Sequence, residues 1–143
     1  MWIATKLGFY SIVKKEDAYH IRARVKSDLE RLLDAANDKL CNDYPVEEWP
    51  EADYQYRFRV NSHADYAYLF HVLSESIDYD NFKNTIAKTE HQAEKGAAYS
   101  HLWGDLYRIQ SEHRYGSWPE GSDYDNWPNH DYDPSQYAPV RYF

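Results

Sequence analysis

The sequence predicts an α+β fold: a ferredoxin-like antiparallel sheet of three to four strands with helices on one face, extra C-terminal helices and an extended tail. Three observations lead there. Residues 19–26 and 54–60 alternate with the two-residue period of a half-buried strand. Residues 27–40 and 62–77 repeat apolar side chains at helical spacing. The elements run strand, strand, helix, strand, helix, and 143 residues suit one such domain better than two.

Residues 8–15 form the first expected strand, which residues 2–6 can extend, with Gly8 as a bulge or bend. A Glu16-Asp17 turn leads to the second, where Tyr19, Ile21, Ala23 and Val25 share one face and His20, Arg22, Arg24 and Lys26 the other. Ser27 and Glu30 read as a capping box opening a helix whose stripe is Leu29, Leu32, Leu33, Ala36 and Leu40. An acidic connection, residues 41–53, follows. The third strand places Tyr54, Tyr56, Phe58 and Val60 opposite Gln55, Arg57 and Arg59. The next helix starts near Ser62 with Asp65 at its third position, and buries Tyr66, Leu69, Phe70, Leu73 and Ile77. A short helix after Asp80, capped by Asp80 or Asn81, carries Phe82 and Ile86. The last helix, about residues 92–110, turns Tyr99, Leu102, Trp103, Leu106 and Ile109 inward, and Gly104 weakens it by about 1 kcal/mol relative to alanine.

The expected boundary lies after residue 114. Residues 115–143 hold four of the six prolines, five acids, one base, five tyrosines and two tryptophans, a composition unlike that of a flexible linker. This acidic aromatic tail is expected to lie against something.

Four blocks resemble a group of short bacterial proteins without an assigned activity: Trp2–Val13, Tyr19–Arg24 with Asp28–Leu32, Tyr54–Val60 and Ile77–Lys83. The likeness covers about residues 1–110. It implies a small bacterial or phage α+β domain and carries over no catalytic residue.

Composition narrows the function classes. An apolar content of 43% with 17% aromatics excludes a disordered acidic chain. A formal charge of −8 excludes a protein that coats DNA through overall basicity. Cys41 has no second cysteine to bridge, no signal peptide is visible, and no apolar run reaches the roughly 18 residues of a membrane span. A cytoplasmic location without membrane partners is the expectation. Acidic surroundings raise a thiol pKa, so Cys41 is no nucleophile candidate.

The basic sheet face is the leading candidate site. His20, Arg22, Arg24, Lys26, Arg57 and Arg59 are expected together on it, with Tyr10 and Lys14 able to join. Three readings are open. Long basic stems can simply cover an open sheet. Basic residues among aromatics can hold nucleic acid as RNA-recognition domains do, and residues 6–13 faintly resemble their RNP1 stretch. The face can instead dock an acidic peptide. The tail offers one in Asp123, Tyr124, Asp125, Trp127, Asp131, Tyr132 and Asp133, complementary through carboxylate pairs and cation–π contacts, in cis or to a partner.

The acidic runs allow another class, a phage-type inhibitor that mimics nucleic acid against restriction or CRISPR enzymes. The pattern Asp78-Tyr-Asp-Asn-Phe82 recurs as Asp123-Tyr-Asp-Asn-Trp127, by coincidence or as a copied docking motif. The pairs His71/Glu75 and His101/Asp105 have metal-ligand spacing without a third partner, and Asp123, Asp125, His130, Asp131 and Asp133 lack the glycine and final Glu of an EF-hand. No P-loop, dinucleotide fingerprint or nucleophile elbow occurs. No catalytic residue, metal or cofactor is assigned. The expectation is a non-enzymatic binding protein that acts, with another protein as its partner, through the arginine-rich face, the tail or both.

Overall fold

The first apolar stretch breaks at Gly8 because the chain there passes directly over a buried carboxylate. In the computed structural model, which describes residues 1–115, Trp2–Ala4 (β1) and Phe9–Lys15 (β2) are separate strands joined by a turn at Thr5–Gly8. Ala18–Ala23 (β3) continues the meander. Lys26–Ala36 (α1) then crosses one face, and the two-residue Glu47–Glu48 (β4) leads to Tyr56–Val60 (β5). The sheet is wholly antiparallel in the order β1-β2-β3-β5-β4. The α+β expectation holds. Five strands replace the expected three or four, and the ferredoxin-like order is not shown.

His63–Glu75 (α2) and α1 pack on the same side of the sheet. Tyr10, Ile12, Ile21, Phe58 and Val60 face them and meet Leu29, Leu32, Ala36, Leu69, Val72 and Leu73 in the core. Fully burying each such side chain stabilises the fold by about 1.5–3 kcal/mol. Tyr19 of β3 stacks on Tyr66 of α2, with ring centroids 3.6 Å apart.

Two caps differ from each other. Ser62 caps α2 as expected, its Oγ accepting the Asp65 N–H at 3.2 Å. Ser62→Ala is expected to remove about 1 kcal/mol of stability, measurable as a lower urea midpoint at unchanged slope. The capping box expected at Ser27 and Glu30 is absent, because α1 begins at Lys26 with Val25 in the N-cap position and no side-chain cap. That start turns Asp28 inward, and Glu30 instead pairs with Lys26 at 3.0 Å. Ile77, expected in the core, is 64% exposed because α2 has already ended at Glu75.

Two buried carboxylates tie distant segments together. Asp28 accepts the Phe9 N–H (3.1 Å), an Arg31 N–H (3.3 Å) and a Gln92 N–H (3.4 Å). Its own carbonyl accepts the Tyr10 hydroxyl at 2.9 Å. Gln92, fully buried, also donates to the Leu7 carbonyl at 3.1 Å. His91 contacts the Lys6 carbonyl at 3.0 Å, and Lys6 pairs with Asp78. The second carboxylate, Asp65, joins α2 to the loop after α1: it accepts from Cys41 N (2.8 Å), Asn42 Nδ2 (2.8 Å) and Tyr44 Oη (2.6 Å).

Phe82–Lys88 (α3) is capped by Asn81, whose side chain accepts the Asn84 N–H at 3.1 Å, and it buries Ile86. The expected helix start near residue 92 shifts: residues 90–95 form a 3₁₀ segment, and α4 spans Gly96–Tyr115. The chain divides into two compact units, Met1–Ala93 and a second from Glu94. Within α4 Tyr99 is buried, whereas Leu102, Trp103, Leu106 and Ile109 are 36–57% exposed, contrary to the inward placement expected. Helical spacing reports an amphipathic stripe, not what covers it.

Candidate partner-binding face

Residues directly opposed across strands point to the same face. The register therefore defines one row crossing all five strands on the side away from the helices: Trp2, Ser11, Arg22, Arg57 and Glu47. Val13, His20 and Arg59 make a parallel row. His20, Arg22, Arg57 and Arg59 are thus brought together as the alternation predicts. Tyr10 and Lys14 belong to the opposite face: Tyr10 is buried against α1, and Lys14 Nζ lies 5.6 Å from the Tyr19 ring centroid. Lys26 opens α1 and pairs with Glu30, so it does not extend the strand row, because β3 ends at Ala23. Arg24, one residue past β3, still reaches the face.

The sequence pattern does not reveal what organises these arginines. Between β4 and β5 the chain folds back, with Trp49 N–H bonded to the Gln55 carbonyl at 2.7 Å and Ala52 N–H to the Trp49 carbonyl at 3.0 Å. This turn lays two rings on the guanidinium groups. Arg57 Cζ sits 4.0 Å from the Trp49 ring centroid, and Arg22 and Arg24 Cζ sit 4.7 and 4.4 Å from that of Tyr54. Strand β5 begins at Tyr56, which frees Tyr54 from the core-facing set in which the alternation placed it. Trp2 and Phe9 add an aromatic pair, centroids 6.2 Å apart, at the other end of the row.

Hydrogen bonding fixes part of the array and leaves part open. Arg22 donates to Ser11 Oγ at 2.7 Å, and Arg57 donates to the Tyr54 carbonyl at 2.9 Å. Glu47 accepts from Arg59 at 2.8 Å and from the Trp49 indole at 3.1 Å. Arg22 Nε, Arg57 Nε, Tyr54 Oη and His20 Nδ1 are buried without a hydrogen-bond partner among the described residues. Arg57 and Tyr54 are each only 3% exposed. No carboxylate of the described residues is within ion-pair distance of Arg22, Arg24 or Arg57.

The electrostatics follow. Burial, then the neighbouring Arg22 charge, pulls the Arg57 pKa below its usual value, against the opposing pull of Asp53 and Glu47. A guanidinium nonetheless stays protonated in proteins. Burial first, then Lys15, Arg57, Arg59 and Arg22, lowers the pKa of His20. His20 is therefore mostly neutral at pH 7 and offers a ring nitrogen rather than a charge. Chemically, the face presents guanidinium groups whose planes are taken by aromatic rings: Arg24 is exposed and Arg22 half-buried, whereas Arg57 is buried against Trp49. The accessible edges of Arg22 and Arg24 suit a planar bidentate acceptor.

No protein-family model, curated protein or solved structure matches the chain. No helix among the described residues is long and apolar enough to cross a membrane. The tail residues Asp123, Tyr124, Asp125, Trp127, Asp131, Tyr132 and Asp133 lie outside the described residues.

Proposed function

We propose that this protein is a non-enzymatic binding module whose outer sheet face receives an acidic, aromatic peptide of another protein. The observation that carries this reading is the directly opposed pair Arg22 and Arg57, held by Ser11, Tyr54 and Trp49 yet without a carboxylate partner among the described residues. Two like charges side by side repel, and a buried donor without an acceptor costs about 1–3 kcal/mol. A ligand carboxylate on the half-buried Arg22 and the exposed Arg24 offsets the concentrated positive charge. Trp2 and Phe9 supply rings for the ligand's aromatic side chains.

A peptide is preferred to nucleic acid because the ring faces best placed for stacking bases, those of Trp49 and Tyr54, are already engaged by guanidinium groups. Inhibition by acidic mimicry has less support: in the 41–53 connection, Glu47 is taken by Arg59 and Glu48 accepts from Gln55 at 2.8 Å.

The test uses the full chain with Asp123, Asp125, Asp131 and Asp133 changed to Asn, so that its own carboxylates do not compete. Titration with a labelled acidic aromatic peptide is expected to show binding that weakens with salt and shifts the Trp49 indole resonance. Arg24→Glu on an exposed position is expected to weaken it at least tenfold (about 1.4 kcal/mol), and Lys88→Glu on α3 to leave it unchanged. Tighter binding of single-stranded oligonucleotide, or peptide binding indifferent to Arg24→Glu, overturns the reading.

A further inference from the structure

We infer that the outer sheet face carries a small-molecule site of its own, beside the arginine cluster, that takes an uncharged saccharide. The inference does not rest on the peptide reading, because it uses none of Arg22, Arg24 and Arg57.

The site is an open cavity of about 380 Å³, formed where the start of β3 and the end of β5 meet the loop that leads into β4. The register that opposes Tyr19 to Val60 and His20 to Arg59 brings Ala18 next to Asn61 on the side away from the helices. The volume falls within the roughly 300–1,000 Å³ of small-molecule pockets.

The loop wall is held from behind. The buried Asp65 carboxylate accepts from Cys41 N–H, Asn42 Nδ2 and the Tyr44 hydroxyl, so residues 41–44 are fixed before any ligand arrives. Because Asn42 gives its Nδ2 to Asp65, its Oδ1 remains an acceptor.

The opposite wall settles its own charge. Glu47 Oε1 accepts from Arg59 Nε at 2.8 Å and lies 2.7 Å from Arg59 Nη2. Arg59 is exposed and keeps further N–H groups beyond that pair. Asp43 and Asn61, both exposed, have no hydrogen-bond or ion-pair partner among the described residues.

The ligand class follows from this set. A hydroxyl is one donor and two acceptors, so neighbouring ring hydroxyls need donors and acceptors side by side. Arg59 and Asn61 supply donors, and Asn42, Asp43 and Asn61 supply acceptors. A phosphate or carboxylate would find Arg59 already neutralised by Glu47 and would meet the Asp43 charge. A metal ion fails on ligand count, since no group of three His, Cys, Asp or Glu side chains among the described residues could hold one. Ala18 and Pro45 add apolar surface for the C–H face of a sugar ring.

The test is a ¹⁵N-edited NMR titration of the full chain with the methyl glycosides of glucose, galactose, mannose and N-acetylglucosamine, each to about 50 mM. At least one is expected to shift the Asn42 and Asn61 side-chain amides saturably, with a Kd on the order of 1 mM. That Kd is expected to stay constant from about 50 to 500 mM salt, because no net charge is exchanged. Asn61→Ala, on an exposed position, is expected to weaken binding about tenfold, and Lys88→Glu on α3 to leave it unchanged. Inorganic phosphate and methylammonium are titrated in parallel. No saturable shift with any of the four glycosides overturns the inference, as does tighter binding of either ion at the same amides. A glycoside that shifts other resonances only, or that binds Asn61→Ala as well as wild type, also overturns it. Loss of peptide binding by the outer face leaves it standing.

Discussion

Gly8→Ala is expected to destabilise the fold by about 3 kcal/mol, at the upper end of ordinary overpacking. A Cβ at this position would lie 2.6 Å from both Cβ and Cγ of Asp28 and 2.8 Å from the Tyr10 hydroxyl oxygen. None of these is the free end of a flexible side chain. Asp28 is 1% exposed and fixed by the Phe9, Arg31 and Gln92 donors, and the Tyr10 hydroxyl is bonded to the Asp28 carbonyl. Making room means withdrawing either the β1–β2 turn or the first turn of α1, which breaks these bonds. The check is urea denaturation followed by fluorescence. A midpoint within 0.5 kcal/mol of wild type, on the order of an ordinary surface substitution, would show that the turn yields freely. The double variant Gly8→Ala/Asp28→Ala is expected to lose less than the sum of its single variants, because the clash and the carboxylate share one space.

Asp65→Asn is expected to lose about 3 kcal/mol at pH 7 and to flatten the acid side of the stability profile. The Cys41 N–H contributes most, followed by the Tyr44 hydroxyl, and together with Asn42 they hold the Asp65 carboxyl far below the usual carboxylate range despite its burial. A depressed folded-state pKa means that the unfolded chain binds the proton more readily. The stabilisation is therefore complete above the unfolded value of about 4 and drains away as pH falls towards the folded value. Wild type should lose stability steeply below pH 4, whereas the Asn variant, already weak, should change little there through this group. The alkaline side has a counterpart. Burial, with the bond donated to Asp65, pushes the Tyr44 hydroxyl up to about 12. Its contribution is present below the unfolded value of about 10 and is lost as pH climbs through 10 to 12. Chemical denaturation at stepped pH tests both limbs, and identical acid limbs for wild type and variant would remove Asp65 as their cause.

What could be read from the sequence was what repeats. The alternation at Tyr19–Val25 and Phe58–Val60 located the strands and brought His20, Arg22, Arg57 and Arg59 to one face. The Ser62–Asp65 spacing located the start of α2. What escaped has no period. Trp49 stands in a stretch that reads as an acidic connection, and its stacking on Arg57 depends on a backbone turn closed by Gln55 and Ala52. Tyr54 continues the alternation of β5 on paper but precedes the strand, so it is free to cover Arg22 and Arg24. Gly8 reads as a bend, and only the carboxylate of Asp28, twenty residues on, explains why nothing larger fits. A segment's periodicity states which side chains share a face, but not which partner segment arrives to cover them. The same gap accounts for Ile77 and for the exposed stripe of α4.

The bonds from Asp78, His91 and Gln92 back to Lys6 and Leu7 also set an order of events during synthesis. At about 5–20 residues per second, the ribosome adds Gln92 roughly 4–17 s after Gly8. Hairpin formation takes on the order of microseconds, so β1, β2 and β3 can pair long before Gln92 exists. Through that interval Asp28 lacks one of its donors and the Leu7 carbonyl has no amide to accept. The paired strands therefore stay unlatched until a residue 84 positions downstream of Gly8 is added.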